Sequence, residues 1–239
     1  MTSLQKSYHL SAEGEPMYHG LVLELIDKFK VRRVCDVGGG AHPTLSLAEV
    51  QALNLEYTLL DISATELAKA PQGYVKLQAD ITEQIDRVPT GYDLVVSTML
   101  AEHVRNGETF HRNVRGILKA GGIACHFFPT LYALPLLMNS LIPERLSSWL
   151  LQWFNPVDAY HLKFPAYYHW CRGPSRGQIR RLEDLGYAVL RYHGFFGHDY
   201  YLTVPLLKQL HAALARFLRA HPVPQWTSRA LVVLQRQEA

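Results

Sequence analysis

The amino-acid sequence predicts an α/β fold built on a doubly wound, mostly parallel sheet. Short apolar runs rich in β-branched residues alternate with stretches of helical apolar spacing between residues 21 and 128. A single helix between two consecutive strands requires a crossover connection, and crossovers favour parallel strands. Glycine or polar residues follow the first four apolar runs, as expected where a buried strand ends at the edge of a sheet.

The composition fits a single globular domain spanning residues 1–239, because 48% of the residues are hydrophobic and 19% are charged. Lys and Arg number 24 against 21 Asp and Glu, and this net charge of +3 without clustered base argues against a nucleic-acid partner. The three cysteines form no CxxC pair, so neither a disulfide framework nor a metal site is predicted. The first residues lack the pattern of a signal peptide, and we therefore expect a cytoplasmic protein.

In the first half of the chain, the apolar spacing sets the order of the elements. Helices are predicted where apolar residues recur every three to four positions, and Ser63 and Pro71 mark the start and the stop of the third helix. Strands are predicted where the runs are too short for a helix, and the first of them ends in consecutive glycines. The predicted helices are 21–29, 44–53, 63–70 and 108–118, and the predicted strands are 31–37, 57–60, 74–79 and 92–97.

The second half resumes the alternation after a long interruption. A glycine turn introduces the fifth strand, and Gly186 closes the helix before the sixth. The further predictions are strands 121–128, 187–192 and 230–235 and helices 178–185 and 206–218. Residues 131–174 are apolar and aromatic, but prolines break them into runs too short to span a membrane. We interpret them as a helical and aromatic lid inserted between core segments 20–130 and 175–239, with peripheral lipid contact as the alternative.

The ends of the first four predicted strands supply the candidate binding residues. Ligands of open parallel sheets bind beyond the carboxyl ends of the strands, near the point where the strand order reverses. Glycines there let the backbone approach a ligand, and a carboxylate at the second strand end can accept hydrogen bonds from ribose hydroxyls. These residues outline a nucleoside site: Asp36, Gly38, Gly39, Gly40, Asp61, Asp80 and Ser97.

The charge of Asp36 favours a particular kind of nucleoside. A carboxylate beside the glycine turn would repel a pyrophosphate but attract an ammonium or sulfonium group. The third glycine of a dinucleotide-binding GxGxxG pattern is also missing, because Pro43 occupies its place. A cofactor with a positively charged, amino-acid-like end is therefore expected, and a nicotinamide-dependent oxidoreductase remains the alternative.

Residues 34–40, with an acidic residue ahead of the glycines, resemble the first motif of the class I S-adenosylmethionine-dependent methyltransferases. Residues 100–104 resemble a stretch of the branch that includes quinone-biosynthesis methyltransferases. The chain departs from the family pattern at His42, where a glycine is usual. The resemblance implies a Rossmann-like fold with a seven-stranded sheet whose last strand is antiparallel.

The resemblance also implies roles for individual residues. The loop of Gly38, Gly39 and Gly40 would hold the methionine part of S-adenosylmethionine, and Asp61 would bind the ribose. The residues implied near the adenine are Ile62, Asp80 and Ile81.

The predicted reaction is transfer of a methyl group from S-adenosylmethionine to oxygen, nitrogen or carbon of a small molecule. The aromatic residues of the lid favour an apolar or ring-bearing acceptor. His103 is the candidate catalytic base, with His126 as a second histidine near a strand end. The N-terminal residues Tyr8, His9, Tyr18 and His19 are candidates for closing over the cofactor. A non-catalytic protein that binds S-adenosylmethionine is a further alternative.

Overall fold

The computed structural model describes residues 4–131, 165–198 and 205–238 and contains one eight-stranded sheet. The strands are β1 (Gln5–Leu10), β2 (Arg33–Val37), β3 (Glu56–Asp61), β4 (Val75–Gln78), β5 (Tyr92–Thr98), β6 (Leu118–Pro129), β7 (Tyr187–Phe196) and β8 (Arg229–Arg236). Their order across the sheet is β1-β7-β8-β6-β5-β2-β3-β4. The described α-helices are α1 (Gly14–Lys28), α2 (Leu47–Ala52), α3 (Ala64–Lys69), α4 (Gly107–Ile117), α5 (Arg176–Asp184) and α6 (Pro205–Ala220).

The sheet confirms the predicted fold class. All neighbouring strands pair in parallel except β8, which is antiparallel to both β6 and β7. The prediction of an antiparallel last strand is therefore confirmed. Because β8 reverses direction between two strands that run the same way, the other seven strands all end at one edge of the sheet.

The sheet has one strand more than predicted, because β1 pairs in parallel with β7 along its outer edge. Tyr8 and His9 lie in this strand, at the far end of the sheet from β2, so the expectation that these two residues close over a ligand at β2 is wrong. Tyr18 lies in α1, and its hydroxyl is 3.3 Å from the hydroxyl of Thr44 in the loop after β2. The sequence gives little sign of β1, since its residues are partly or fully exposed and do not alternate between apolar and polar.

The hydrophobic core lies on both faces of the sheet. On one face α1 packs against strand residues that include Val34, Leu59 and Leu94. On the other face α4 and α5 pack against strand residues that include Cys35, Val95 and Ala124. The alternation of neighbours such as Val34 and Cys35 between the two cores is the expected consequence of a pleated strand covered on both sides.

Helix α2 begins three residues later than predicted. The Ser46 side chain accepts a hydrogen bond from the backbone N–H of Glu49, and the Glu49 carboxylate accepts one from the backbone N–H of Ser46, which makes a capping box. Thr44 therefore remains in the loop after β2, where its backbone N–H is outside the helix.

Most of the predicted lid, residues 132–164, lies outside the described residues. The last part of it, residues 165–174, packs near the carboxyl end of β5. Across the described ranges, no helix is both long and apolar enough to cross a bilayer.

Candidate cofactor and acceptor site

The strand order reverses between β2 and β5. From β2 the chain runs outward to β3 and β4, and it then returns to place β5 and β6 on the other side of β2. In open α/β sheets such a reversal produces a crevice at the carboxyl ends of the two strands, and ligands bind there. Val37, Asp61 and Thr98 mark this edge at the ends of β2, β3 and β5.

The loop after β2 lies directly on two carboxylates. Gly38 has a φ of +77°, a conformation that favours glycine, and its N–H donates to the Leu60 carbonyl at 2.7 Å. A Cβ on Gly39 would lie 2.6 Å from the Cγ of Asp36, and one on Gly40 would lie 2.6 Å from Asp61 Oδ2. The structure therefore brings the predicted glycines into contact with the carboxylates of Asp36 and Asp61. Side chains at Gly39 and Gly40 would prevent this close approach.

Asp36 lies beneath this loop and is 1% exposed. Its Oδ2 accepts hydrogen bonds from the hydroxyl of Tyr57 and the backbone N–H of Thr44, each at 2.7 Å. Burial raises the pKa of its carboxyl from 3.8 to about 6, against the lowering effect of these hydrogen bonds. Asp36 thus braces the loop from below. Sequence reasoning missed Tyr57 and Thr44, because their contribution depends on contacts between separate elements.

Asp61 and Ile62 lie side by side at the end of β3. Asp61 is partly buried, its Oδ1 accepts from the N–H of Ser63 at 2.8 Å, and burial raises the pKa of its carboxyl. Ile62 is 62% exposed, which is unusual for a large aliphatic side chain. A carboxylate beside an open apolar surface can bind a sugar hydroxyl and the face of a base.

The other three predicted cofactor residues lie in different surroundings. Asp80 Oδ1 accepts from the backbone N–H and the hydroxyl of Thr82, at 2.7 and 2.6 Å, at the end of β4. Ile81 is 5% exposed and belongs to the hydrophobic core. Ser97 is fully buried within β5, where its hydroxyl is 2.8 Å from His126 Nδ1. The structure therefore places Asp80 at the same edge as Asp61 but directs Ile81 and Ser97 into the interior.

Backbone strain is concentrated beside the carboxyl end of β5. Met99, Tyr168 and Trp170 are not glycines, yet their φ angles are +51°, +51° and +69°. The N–H of Tyr168 donates to the Glu102 carbonyl at 3.0 Å, which holds the segment after the undescribed residues against the turn that follows β5. Left-handed backbone at non-glycine residues costs free energy and clusters at functional sites.

Glu102 is a buried carboxyl at this turn, with 4% exposure. Burial raises its pKa from 4.5 to about 7. Its Oε1 is 3.7 Å from His103 Nε2, and its Oε2 has no hydrogen-bond partner among the residues that the structure describes. Such a group can hold or release a proton near neutral pH, so it belongs with the candidate base His103.

The two candidate histidines differ in environment. His103 has 34% side-chain exposure, and its Nδ1–H donates to the Pro165 carbonyl at 3.1 Å. This bond places the lone pair of the neutral ring on Nε2, on the side of Glu102. His126 is fully buried in β6, and burial lowers the pKa of its imidazole well below the usual value. Of the two histidines, only His103 is accessible to solvent at the carboxyl edge of the sheet.

Cys35, Cys125 and Cys171 are free and buried. Among residues 4–131, 165–198 and 205–238, no group of three or more His, Cys, Asp or Glu side chains is arranged to hold a metal ion.

Comparison with known proteins identifies the family. Residues 15–193 match the family model described as "Methyltransferase domain", and the chain belongs to this family. The prediction of a class I S-adenosylmethionine-dependent methyltransferase is confirmed. The chain is also 31% identical over 170 residues to the chloroplastic 2-methyl-6-phytyl-1,4-hydroquinone methyltransferase of Arabidopsis thaliana, which supports the suggested quinone-type branch. That match covers 68% of this chain and 46% of the relative, so the chain spans about half of the relative's length.

Solved structures agree on the fold. A methyltransferase from Archaeoglobus fulgidus described as SAM dependent superposes with a TM-score of 0.57 at 15% identity, covering 93% of this chain and 94% of that one. The magnesium protoporphyrin IX methyltransferase of Synechocystis, solved with bound SAH, has a TM-score of 0.55 at 14% identity and covers 93% of this chain and 83% of its own. At these identities the likeness shows the fold alone.

Proposed function

We propose that S-adenosylmethionine binds across the carboxyl ends of β2 and β3, with its ribose at Asp61 and its adenine against Ile62. The observation that carries this proposal is the close packing of the loop at Gly38–Gly40 on the carboxylates of Asp36 and Asp61. It leaves a surface without side chains between two negative charges, which suits a cofactor whose amino and sulfonium groups are positive.

The remaining cofactor residues divide into direct and indirect roles. Asp80 lies at the edge where the adenine would extend, so we place it in direct contact with the base. Ile81 and Ser97 are buried, so we assign them structural roles: Ile81 supports the edge beside Asp80, and Ser97 supports β5. Asp36 holds the loop through Tyr57 and Thr44 while contributing its charge from below.

Calorimetry on the wild-type protein and two variants tests cofactor binding. Asp61→Ala removes the acceptor of the ribose hydrogen bonds, and we expect its affinity for S-adenosylhomocysteine to fall roughly 10- to 100-fold, as charge-assisted hydrogen bonds are lost. Asp86→Ala is the matched control, because Asp86 is an exposed aspartate outside the crevice. Equal affinity of Asp61→Ala and wild type, or tighter binding of NADH than of either sulfur compound, would contradict the proposal.

We infer further that the acceptor is a small, ring-bearing molecule held between β5 and the segment 165–170. The strained backbone at Met99, Tyr168 and Trp170 gathers at this place, and Tyr167 is 40% exposed there. Aromatic side chains provide flat apolar surfaces for a ring. The related Arabidopsis protein is named for a hydroquinone acceptor, which supports the same class.

The sulfonium cofactor supplies an already activated methyl group, so the chain's contribution is alignment and proton removal. We assign the proton removal to His103, whose Nδ1 bond to Pro165 fixes the ring and directs Nε2 toward Glu102. The Glu102 carboxyl, 3.7 Å from Nε2 and with a pKa of about 7, would stabilise the ring by its negative charge once Nε2 has received the proton.

Turnover with a cofactor carrying a labelled methyl group tests the acceptor and the base. We expect label in substituted hydroquinones and none in DNA or RNA. His103→Gln should lower kcat at least about tenfold if a positioned base contributes its usual share, and should leave the affinity for S-adenosylhomocysteine within about twofold of the wild type. Cofactor binding without turnover on any ring-bearing acceptor would favour the non-catalytic alternative, and unchanged kcat would remove His103 as the base.

We propose a cytoplasmic location, which the three buried free thiols support because reduced cysteines persist in that compartment. We retain one domain over residues 1–239 with a lid at 131–174, and no nucleic-acid partner, as the simplest arrangement consistent with the modest charge excess.

A further inference from the structure

A cavity lies at the same edge of the sheet as the proposed cofactor site, but near the opposite end of the strand order. It has a volume of about 170 Å³ and is bounded by the ends of β1 and β7 and by one face of α6. We call it the α6 pocket, and the lining residues used below are Ser11, Phe196, His198, Lys208, His211 and Arg216. Strands β1 and β2 are five strand spacings apart, about 24 Å at the usual spacing, so the two sites do not overlap.

The charged lining of the α6 pocket has one sign. Lys208 and Arg216 project from α6 and border the cavity, and no carboxylate is among the described residues that line it. Arg219, one turn further along the helix, instead approaches Glu13 at 3.8 Å and does not line the cavity. Among the described residues, the lining therefore contains two cationic side chains and no acidic side chain to neutralise them.

Two imidazoles, those of His198 and His211, also line the pocket. The backbone N–H of His198 donates to His211 Nε2 at 3.0 Å, and the two rings are 3.9 Å apart. Burial, His211 and Arg229 lower the pKa of His198 to about 4, so its ring is neutral at pH 7. Accumulated positive charge disfavours a further cation and favours an anion in the same space.

The rest of the lining consists of a buried hydroxyl and an apolar wall. Ser11 is 6% exposed, and its Oγ has no hydrogen-bond partner within the described part of the chain. Buried hydroxyls are normally hydrogen-bonded, so this one is a candidate donor to a ligand. Phe196 is fully buried and stacks on Tyr8 with ring centroids 5.7 Å apart, which fixes that wall.

We propose that the α6 pocket binds a small organic acid, with its carboxylate or phosphate group toward Lys208 and Arg216 and its apolar body against Phe196. The cavity volume limits the ligand to a single ring or a short chain. The assignment does not depend on the proposed methyl transfer, because it concerns a separate site.

Titration calorimetry with benzoate and benzamide tests the proposal, since the two differ in charge but little in shape. We expect saturable binding of benzoate, at least tenfold weaker binding of benzamide, and a loss of benzoate affinity of about tenfold in Lys208→Gln and in Arg216→Gln. Inorganic phosphate that competes with benzoate would show that the anion alone suffices, and failure to compete would show that the ring is needed; both agree with an organic acid site.

The control variant is Arg219→Gln, which removes a cation of α6 outside the pocket and should leave benzoate binding within twofold of wild type. All variants should bind S-adenosylhomocysteine as the wild type does, which separates this test from that of the cofactor site. No saturable benzoate binding, equal affinity for benzamide, or an equal loss in Arg219→Gln would overturn the assignment.

Discussion

At the scale of single residues, the most informative position is Asp36. Sequence reasoning placed its charge beside the glycines, and the structure adds that this charge is buried and held by Tyr57 and Thr44. The same carboxylate therefore fixes the loop and carries a free-energy cost when it ionises. Both consequences follow from burial, which the local sequence does not reveal.

The cost of ionising Asp36 predicts a pH dependence of stability. Its carboxyl keeps its proton to about pH 6 in the folded chain but only to about 3.8 in the unfolded chain. Between pH 3.8 and about pH 6 the folded state therefore binds more protons than the unfolded state. The stability that Asp36 contributes by staying protonated is lost as the pH rises through this range. Relative to Asp36→Asn, the wild type should lose up to about 3 kcal/mol of unfolding free energy between pH 4 and pH 7, measured by urea denaturation.

Asp86→Asn serves as the control for this series, because Asp86 is exposed. Its difference from the wild type should stay constant over the same range. A wild type that gains stability relative to Asp36→Asn as the pH rises would contradict the account.

At the scale of elements, α4 contacts the segment 165–170, which borders the acceptor site proposed above. The N–H of Gly107 donates to His169 Nδ1 at 2.9 Å, and a Cβ on Gly107 would lie 2.8 Å from the Cβ of Trp170. Gly116 lies in the same helix, and a Cβ there would meet no atom within 4 Å. Alanine substitutions at the two glycines therefore distinguish the effect of this contact on stability from the effect of helix propensity.

We expect Gly107→Ala to destabilise the fold by about 1–3 kcal/mol, because backbone must move to accept the added methyl group. Gly116→Ala should instead stabilise it by up to about 1 kcal/mol through helix propensity alone. Thermal unfolding measures both. If Gly107→Ala proved as stable as Gly116→Ala, the segment 165–170 would not pack on α4 as described.

At the scale of the whole molecule, the sequence pattern was sufficient for the alternating strands and the crevice edge, whereas the antiparallel β8 was expected only from the family resemblance. It did not reveal β1, because an exposed edge strand has no apolar period. It also did not reveal the strained turn at Met99, Tyr168 and Trp170, since that geometry depends on a contact between segments more than 60 residues apart. Local pattern predicts elements and strand ends, whereas the direction of side chains such as Ser97 and Ile81 depends on packing.

The most direct test of the central claim is a crystal structure grown with S-adenosylhomocysteine, alongside one grown with NADH. We expect the sulfur compound at the carboxyl ends of β2 and β3, with ribose hydroxyls on the Asp61 carboxylate and the amino-acid end over Gly38–Gly40. A diphosphate seated on that loop in the second crystal, or a ribose bound away from Asp61 in the first, would contradict it.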